Sequence, residues 1–468
     1  MARVRGLWQA AQMERGQSMW LDELPGERAP RAALGGDMSV DVVVIGAGFT
    51  GLWTAYYLKT LDPSLSVLVV EREFVGFGAS GRNGGWAVGE LAAGVEKYER
   101  ISSLEESLRL TRAVFDSVDE IGRVAADRGI DCGYAKGGTI RLARNKAQLS
   151  RQIAEVSHHH SLGFSDADFR LLDADEAREM CNATEVLGGI KFAHTAAVDP
   201  ARLVTGLATA CEDLGVVIVE RTAAELVEPG SVRTDRGTVT ASSVVQATEA
   251  YTCELEGQRR RMVPVYSRMI ATEPLDQAIL DEIGLHERPT FADDRYMVIY
   301  GQRTEDGRIA FGGRGVPYLY GSKIDPATEV RGDSHRLIHE ALVDLFPVLD
   351  DVEITHRWGG VLGVSRDWTP FVRYDRASGV GEAGGYVGEG VTPSNLAGRT
   401  LAELIVGAET ERTDLPWVGH QSRSWEPEPF RWLGIRGSRR IMAGADAAED
   451  QGRQARTAIR LSNWLRGS

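Results

Sequence analysis

The stretch Asp41-Val-Val-Val-Ile-Gly-Ala-Gly-Phe-Thr-Gly51 decides how the rest of the chain is read. An apolar run of strand type meets three glycines at G-x-G-x-x-G spacing, and Leu52, Ala55, Tyr56 and Leu58 follow at helical spacing. Each glycine has a separate steric task. Gly46 permits the tight turn, Gly48 lets backbone approach a phosphate, and Gly51 lets the helix pack close to the strand. Phe49 and Thr50 then begin a helix whose N-H groups and positive dipole end face an anion. The pattern predicts a turn that holds the pyrophosphate of a dinucleotide. Glycine turns of this spacing also occur without a nucleotide, so the context matters. A second apolar strand, Ser66-Val-Leu-Val-Val70, ends at Glu71, twenty residues after Gly51, where the fold places a carboxylate that accepts from ribose hydroxyls.

With 468 residues the chain has room for two or three domains and a sizeable core. Glycine is abundant, 53 residues, which suits short loops wrapped around a ligand. A net charge of -14 disfavours nucleic acid and anionic membrane surfaces as partners. No apolar run approaches the ~20 residues of a membrane span, and the N-terminal sequence has no apolar signal core, so the expectation is a soluble, cytoplasmic protein. Cys132, Cys181, Cys211 and Cys253 are widely spaced and read as buried thiols. His158-His159-His160 lies in a helical pattern without a nearby ligand partner, so no metal is assigned.

Residues 1–36 read as a polar arm laid across the surface, with apolar anchors at Trp8, Met19, Trp20, Leu21 and Leu24. After the β-α-β unit comes Gly78-Ala79-Ser80-Gly81-Arg82-Asn83-Gly84-Gly85, too rich in glycine for helix or strand and well supplied with groups for phosphate and ring atoms. Ser103-Leu-Glu-Glu106 predicts a capping box on a long helix. Asp199-Pro200 predicts the start of another helix. An apolar strand ends at Ala247-Thr248, near the adenosine side. From Met262 the pattern turns to hairpins, with strands expected at 263–272, 295–302 and 308–313. A third glycine-rich loop, residues 384–399, contains Gly388, Gly390, Val391 and Thr392 and opens a helix whose dipole suits negative charge on a ligand. The tail, 412–468, carries Trp425-Glu-Pro-Glu-Pro-Phe-Arg-Trp432 and a helical pattern through Ile459, Leu461, Trp464 and Leu465, expected to pack on the body or on another subunit.

Together Gly46-x-Gly48-x-x-Gly51, Glu71-Arg72, residues 78–85, Ala247-Thr248, and Gly388-Glu-Gly-Val-Thr392 with Ala397-Gly-Arg399 resemble the FAD-dependent amine and amino-acid oxidoreductases related to D-amino-acid oxidase and glycine oxidase. The resemblance spans about residues 37–410 and is strongest to the branch of gamma-glutamylputrescine and aminophosphonate oxidoreductases. It implies an α/β, Rossmann-like FAD-binding domain from residues 37–100, 196–262 and 357–411. An α+β substrate domain with a mostly antiparallel sheet would come from 101–195 and 263–356, between an arm (1–36) and a tail (412–468). By the same resemblance Glu71 holds the adenosine ribose, residues 80–85 line the pyrophosphate and flavin, and residues 388–392 meet the pyrimidine end of the ring. Arg72 and Ala247-Thr248 complete the cofactor set.

Some relatives attach FAD covalently through a histidine in the early glycine loop, where this chain has Asn83, or through a later cysteine, and none follows Cys253. Non-covalent FAD is therefore expected. Arginines that hold a substrate carboxylate in glycine oxidase-like relatives fall at Tyr300 and Leu362 here, which argues against a simple α-amino acid, although Arg295, Arg314 or Arg366 could supply charge from another direction. The resemblance thus implies oxidation of a small amine, with oxygen or another acceptor taking the electrons and no protein acid or base essential. Candidate pocket residues are Tyr296, Tyr300, His356, Trp358 and Arg366. An α-amino or N-methyl amino acid oxidase, a pyridine-nucleotide dehydrogenase using the first loop alone, and a flavoprotein electron carrier are the competing readings. Monomer or homo-oligomer is left open.

Overall fold

The structure is a computed structural model that describes residues 18–26, 29–314 and 318–452. Strand Met38–Ile45 lies at the centre of an eight-stranded sheet, in parallel register with Val67–Val70 on one side and Gly237–Gln246 on the other. Val217–Val219 extends the first side; Val380–Gly384 and then Phe371–Asp375 extend the second. Parallel strands sit between two covered faces, and Val42, Val43 and Val44 are all buried, as the unbroken apolar run requires. On one face helices Phe49–Leu61, Pro200–Asp213 and Val391–Val406 build the largest core cluster. On the other, Val43, Ile45 and Leu68 meet Val232 and Val239 of a three-stranded meander.

A second eight-stranded sheet runs in the order Ile354–Val364, Val263–Thr272, Ile309–Arg314, Ile299–Arg303, Thr290–Asp293, Thr139–Ala143, Gly188–Phe192, Phe169–Leu172. All its pairings are antiparallel except Thr290–Asp293 with Thr139–Ala143. The sheet draws a boundary different from the one expected at 356/357. Residues 354–364 form one strand paired along the length of Val263–Thr272, so 357–364 belong to the second sheet. Its glycines mark close approach: a Cβ on Gly359 would stand 3.1 Å from the Glu329 backbone, and one on Gly360 3.4 Å from Arg82.

Helix Leu104–Asp127 also crosses the expected division, since Leu110, Val114, Val118 and Ile121 pack in the core cluster of the first sheet. Ser103 caps it by accepting from the Glu106 N-H at 3.2 Å, but the Glu106 carboxylate pairs with Arg109 at 3.1 Å. Residues 295–298 were expected in a strand and form a loop, because the N-H groups of Tyr296 and Met297 donate to Asp446 from the tail.

The arm is anchored more deeply than a surface strap. Met19, Trp20 and Leu21 are buried; Ser18 donates to the Gly81 carbonyl at 2.5 Å, and the Trp20 indole to Asn83 at 2.9 Å. The tail packs back as well, with the buried Trp425 indole donating to the Val364 carbonyl at 2.8 Å before helix Phe430–Asp450. Trp8 and the helical pattern through Leu465 lie outside the described residues.

His335, in the first turn of helix Ser334–Leu345, contacts the Trp358 carbonyl at 3.0 Å and is buried. Burial pushes its imidazole down to about 4. Between that value and the ordinary 6.5, the unfolded chain binds the proton and the folded chain does not, so stability is lost as pH falls through this window. The full effect is on the order of 3 kcal/mol. His335→Gln keeps a donor without titrating, and its denaturation free energy should fall less steeply from pH 6.5 to 4 than that of the wild type. Parallel curves would contradict the assignment.

Candidate active site

The first glycine turn sits at the carboxyl ends of the parallel strands, where α/β sheets bind ligands. Gly46 has φ +104°, and a Cβ there would lie 2.7 Å from the Ala247 carbonyl oxygen. A Cβ on Gly51 would collide with the Gly46 carbonyl, so helix Phe49–Leu61 can start this close to the strand only with glycine. Gly48 is the N-cap and brings no side chain to the helix end. The Glu71 carboxylate accepts from Ala47 N-H at 2.9 Å and Glu73 N-H at 3.0 Å; burial raises its pKa, and these two donors oppose the rise. Ser80 accepts from Phe49 N-H at 2.9 Å, clamping the second glycine loop to the first.

These elements line one continuous cleft. Gly46, Gly48, Phe49 and Thr50 line one end with Glu71 and Arg72; Gly78, Ala79, Ser80 and Asn83 line the flank; Ala247 and Thr248 face them. Gly388, Gly390 and Val391 complete the lining. The Thr50 and Tyr386 hydroxyls meet at 3.0 Å, joining the first helix to the third glycine loop.

A second space adjoins it, sharing Ala79, Asn83, Leu362, Gly388 and Val391. Its own walls include Arg82, Gly84, Trp86, Ser267, Tyr300 and Glu389. The second sheet roofs this chamber and is fastened to the early loop. Gln302 donates to the carbonyls of Gly84 at 2.8 Å and Val198 at 3.1 Å, and the Trp358 indole donates to Arg82 at 2.9 Å. Arg82 itself donates to Glu329 at 2.6 Å and to the Phe77 carbonyl at 2.7 Å, beneath buried sheet.

Four residues of the cofactor set line neither space. Gly51, Gly81 and Gly85 serve as close-packing points, where an added Cβ would strike Gly46, Gly76 and Val198 carbonyls respectively, and Thr392 is buried within the first turn of its helix. Of the five pocket candidates only Tyr300 lines the chamber, its hydroxyl 2.7 Å from that of Ser267. Trp358 shares the chamber face of its strand with Gly360 and Leu362, but Trp20 from the arm packs edge-on at 6.3 Å and covers it. His356 lies further along that face, 2.9 Å from the Thr355 hydroxyl, its pKa lowered by burial and then by Arg308. Arg366 pairs with Glu426 at 2.9 Å and lies over the Trp425 ring. Tyr296 turns outward to Glu449 at 3.0 Å.

The sequence reading missed Trp86, Ser267, Met269 and Glu389 in the chamber and Tyr251 and Tyr386 in the cleft. Trp86 follows the second glycine loop directly and could have been found from it. Arg295 is paired with Asp293 in a separate groove, and the Arg314 side chain lies outside the described residues. The three histidines take structural contacts, His159 stacking on Phe169 at 3.8 Å and His160 meeting the Phe169 carbonyl at 3.0 Å. Among the described residues no helix is long and apolar enough to cross a membrane.

Residues 41–404 match the family described as FAD dependent oxidoreductase. The chain is 32% identical over 393 residues to a gamma-glutamylputrescine oxidoreductase of Escherichia coli, covering 82% of this chain and 88% of that one. It is 31% identical to the probable oxidoreductase OrdL of Haemophilus influenzae, over 78% of this chain and 83% of the other. Glycine oxidase from Bacillus cereus shares the fold with a TM-score of 0.66 at 21% identity, covering 83% of this chain and 99% of its own. The chain belongs to the FAD-dependent oxidoreductase family and is an FAD-dependent enzyme.

The donor set fits that cofactor: a helix end whose N-cap glycine brings no side chain, on a glycine turn for pyrophosphate, a carboxylate beside it for ribose, and a long cleft adjoining a chamber. Overpacking costs of about 1–3 kcal/mol correspond to roughly a five- to 150-fold loss of FAD affinity for Gly51→Ala. Gly35→Ala, where nothing lies within 4 Å, should retain flavin. Flavin absorbance per chain after gel filtration checks this; equal content in the two variants would contradict the turn's role.

Proposed function

We propose that this enzyme oxidises the C-N bond of a small amine. The carrying observation is the uncharged chamber wall at Tyr300 and Leu362, the two positions to which the resemblance assigns arginine in glycine oxidase-like relatives. Neither bears charge. Among the described residues Arg82 is the only arginine lining the chamber, and its guanidinium is bound to Glu329 and Phe77. The negative charge instead comes from Glu389. Glu90 lies just past strand Trp86–Val88; burial and then the Glu389 charge push its carboxyl up to about 7. Such a wall favours a cationic group and offers no clamp to a carboxylate. Similarity to the gamma-glutamylputrescine oxidoreductase of Escherichia coli supports the same class.

We take the first-sheet elements as the cofactor unit and the second sheet, including 354–364, as the substrate unit. Glu71 would hold ribose, the turn at 46–50 the pyrophosphate, and loops 78–84 and 388–391 the ring. FAD supplies a two-electron acceptor for the hydride that leaves the carbon next to nitrogen. The substrate nitrogen loses a proton, and water hydrolyses the imine to a carbonyl product and an amine. The chamber residues position the amine and exclude bulk water; oxygen or another acceptor then takes the electrons.

Non-covalent attachment is part of this reading. No histidine or cysteine lines either space among the described residues, and the Asn83 amide is used within its own loop, donating to Ala79 and Ser80. Acid precipitation should release FAD into the supernatant; yellow colour left in the pellet would contradict it.

Anaerobic bleaching of the bound flavin tests the substrate class. Putrescine, N-acylated diamines, spermidine or aminoalkylphosphonates should reduce it faster than glycine, sarcosine or other α-amino acids. Glu389→Gln should raise the half-saturating diamine concentration roughly three- to tenfold. Reduction by α-amino acids alone would overturn the proposal, and flavin that no amine reduces would point to an electron carrier.

A further inference from the structure

Helix Phe430–Asp450 lies wholly beyond residues 41–404, the part that matches the family. Its last turns reach loop 294–298, which joins Thr290–Asp293 to Ile299–Arg303 of the roof sheet. In that loop the N-H groups of Tyr296 and Met297 leave the sheet ladder and donate to the two oxygens of Asp446, at 2.7 and 2.8 Å. One turn on, at i+3 and so on the same side of the helix, the buried Glu449 accepts from Arg151 at 2.7 Å and from the Tyr296 hydroxyl at 3.0 Å. Arg151 also donates to the Asp294 carboxylate at 3.0 Å and to its carbonyl at 2.5 Å, with its guanidinium 4.6 Å from the centre of the Tyr296 ring. Immediately after this clasp the chain turns inward, and Val298 and Tyr300 line the chamber.

We propose that Asp446 and Glu449 are positioning residues that set the chamber wall at Val298 and Tyr300 from outside the catalytic fold. The argument is geometric. A five-residue loop between paired strands has two donors that could continue the ladder, and a strand through them would carry Val298 and Tyr300 along with it. A carboxylate accepting both donors holds the loop in its outward course, and charge-assisted bonds of this kind are the stronger ones. The width of the chamber beside Tyr300, and so the amines admitted, depends on a helix that the family's shared part does not contain. This rests on reading the chamber as the substrate space.

The test uses the full-length, flavin-loaded protein. Asp446→Ala should speed amide exchange at Tyr296 and Met297 about tenfold or more. Flavin content and its visible spectrum should stay as in the wild type. In anaerobic reduction by putrescine, the half-saturating concentration should rise while the limiting rate stays within about twofold, since the loss is in binding geometry. Asp446→Asn keeps one acceptor oxygen and should fall between wild type and Asp446→Ala. Should Asp446→Ala fail to fold, Glu449→Gln gives the same readouts with a smaller change. Arg436→Ala, on the same helix but stacked on Trp432 at 4.5 Å, serves as control. Unchanged exchange at Tyr296 and Met297 would overturn the proposal, as would equal effects from Arg436→Ala. If putrescine and other amines fail to reduce flavin while the exchange result holds, the amine reading fails and the clasp stands.

Discussion

The interaction on which the rest depends is the contact of three chain segments around residues 46–51. Glu71 accepts from Ala47, Ser80 accepts from Phe49, and the helix start rests on the carbonyl of Gly46. The central strand, the second strand and the second glycine loop are thereby locked within a few residues of one helix end. Gly48, the N-cap residue, brings no side chain of its own to the helix end, and Ser80 takes the Phe49 donor. An anion is the natural partner of such an end, and every further element is placed by its distance from it.

From this anchor the cofactor cleft runs under the second sheet. The roof is held down by bonds to backbone carbonyls, Gln302 to Gly84 and Trp358 to Arg82, and these leave little freedom in the gap where a flat ring would lie. Arm and tail add to the same device from opposite sides: Trp20 covers Trp358, and Trp425 fastens the end of its strand at Val364. The chamber is therefore shaped by segments distant in sequence, while the nucleotide end is shaped mainly by residues 45–83, with Ala247 and Thr248 from a later strand end.

That difference explains what was legible. Glycine spacing, the position of Glu71 and the alternation of strand and helix are local signals, so the first β-α-β unit, the second loop and the mostly antiparallel second sheet could be read directly. Tyr300, expected in the pocket, lines the chamber from strand Ile299–Arg303. Trp358 was expected in the pocket and lies under Trp20, and no pattern in residues 354–364 announces that cover. Tyr296 was assigned to a strand because its neighbours have strand composition; the carboxylate that pulls it out is 150 residues away. Arg366 is drawn off by Glu426 in the same manner. Glu389 was passed over as a loop residue, although the loop itself was recognised.

The central claim is that cleft and chamber form one cofactor site, with the adenosine end at Glu71 and the reactive ring at the roof. A crystal structure of the flavin-loaded protein tests it most directly. The account predicts ribose hydroxyls within hydrogen-bond distance of the Glu71 carboxylate and the ring between loops 82–84 and 388–391, with one face open to Tyr300. A ring lying outside the chamber, or a ribose that leaves Glu71 uncontacted, would contradict it.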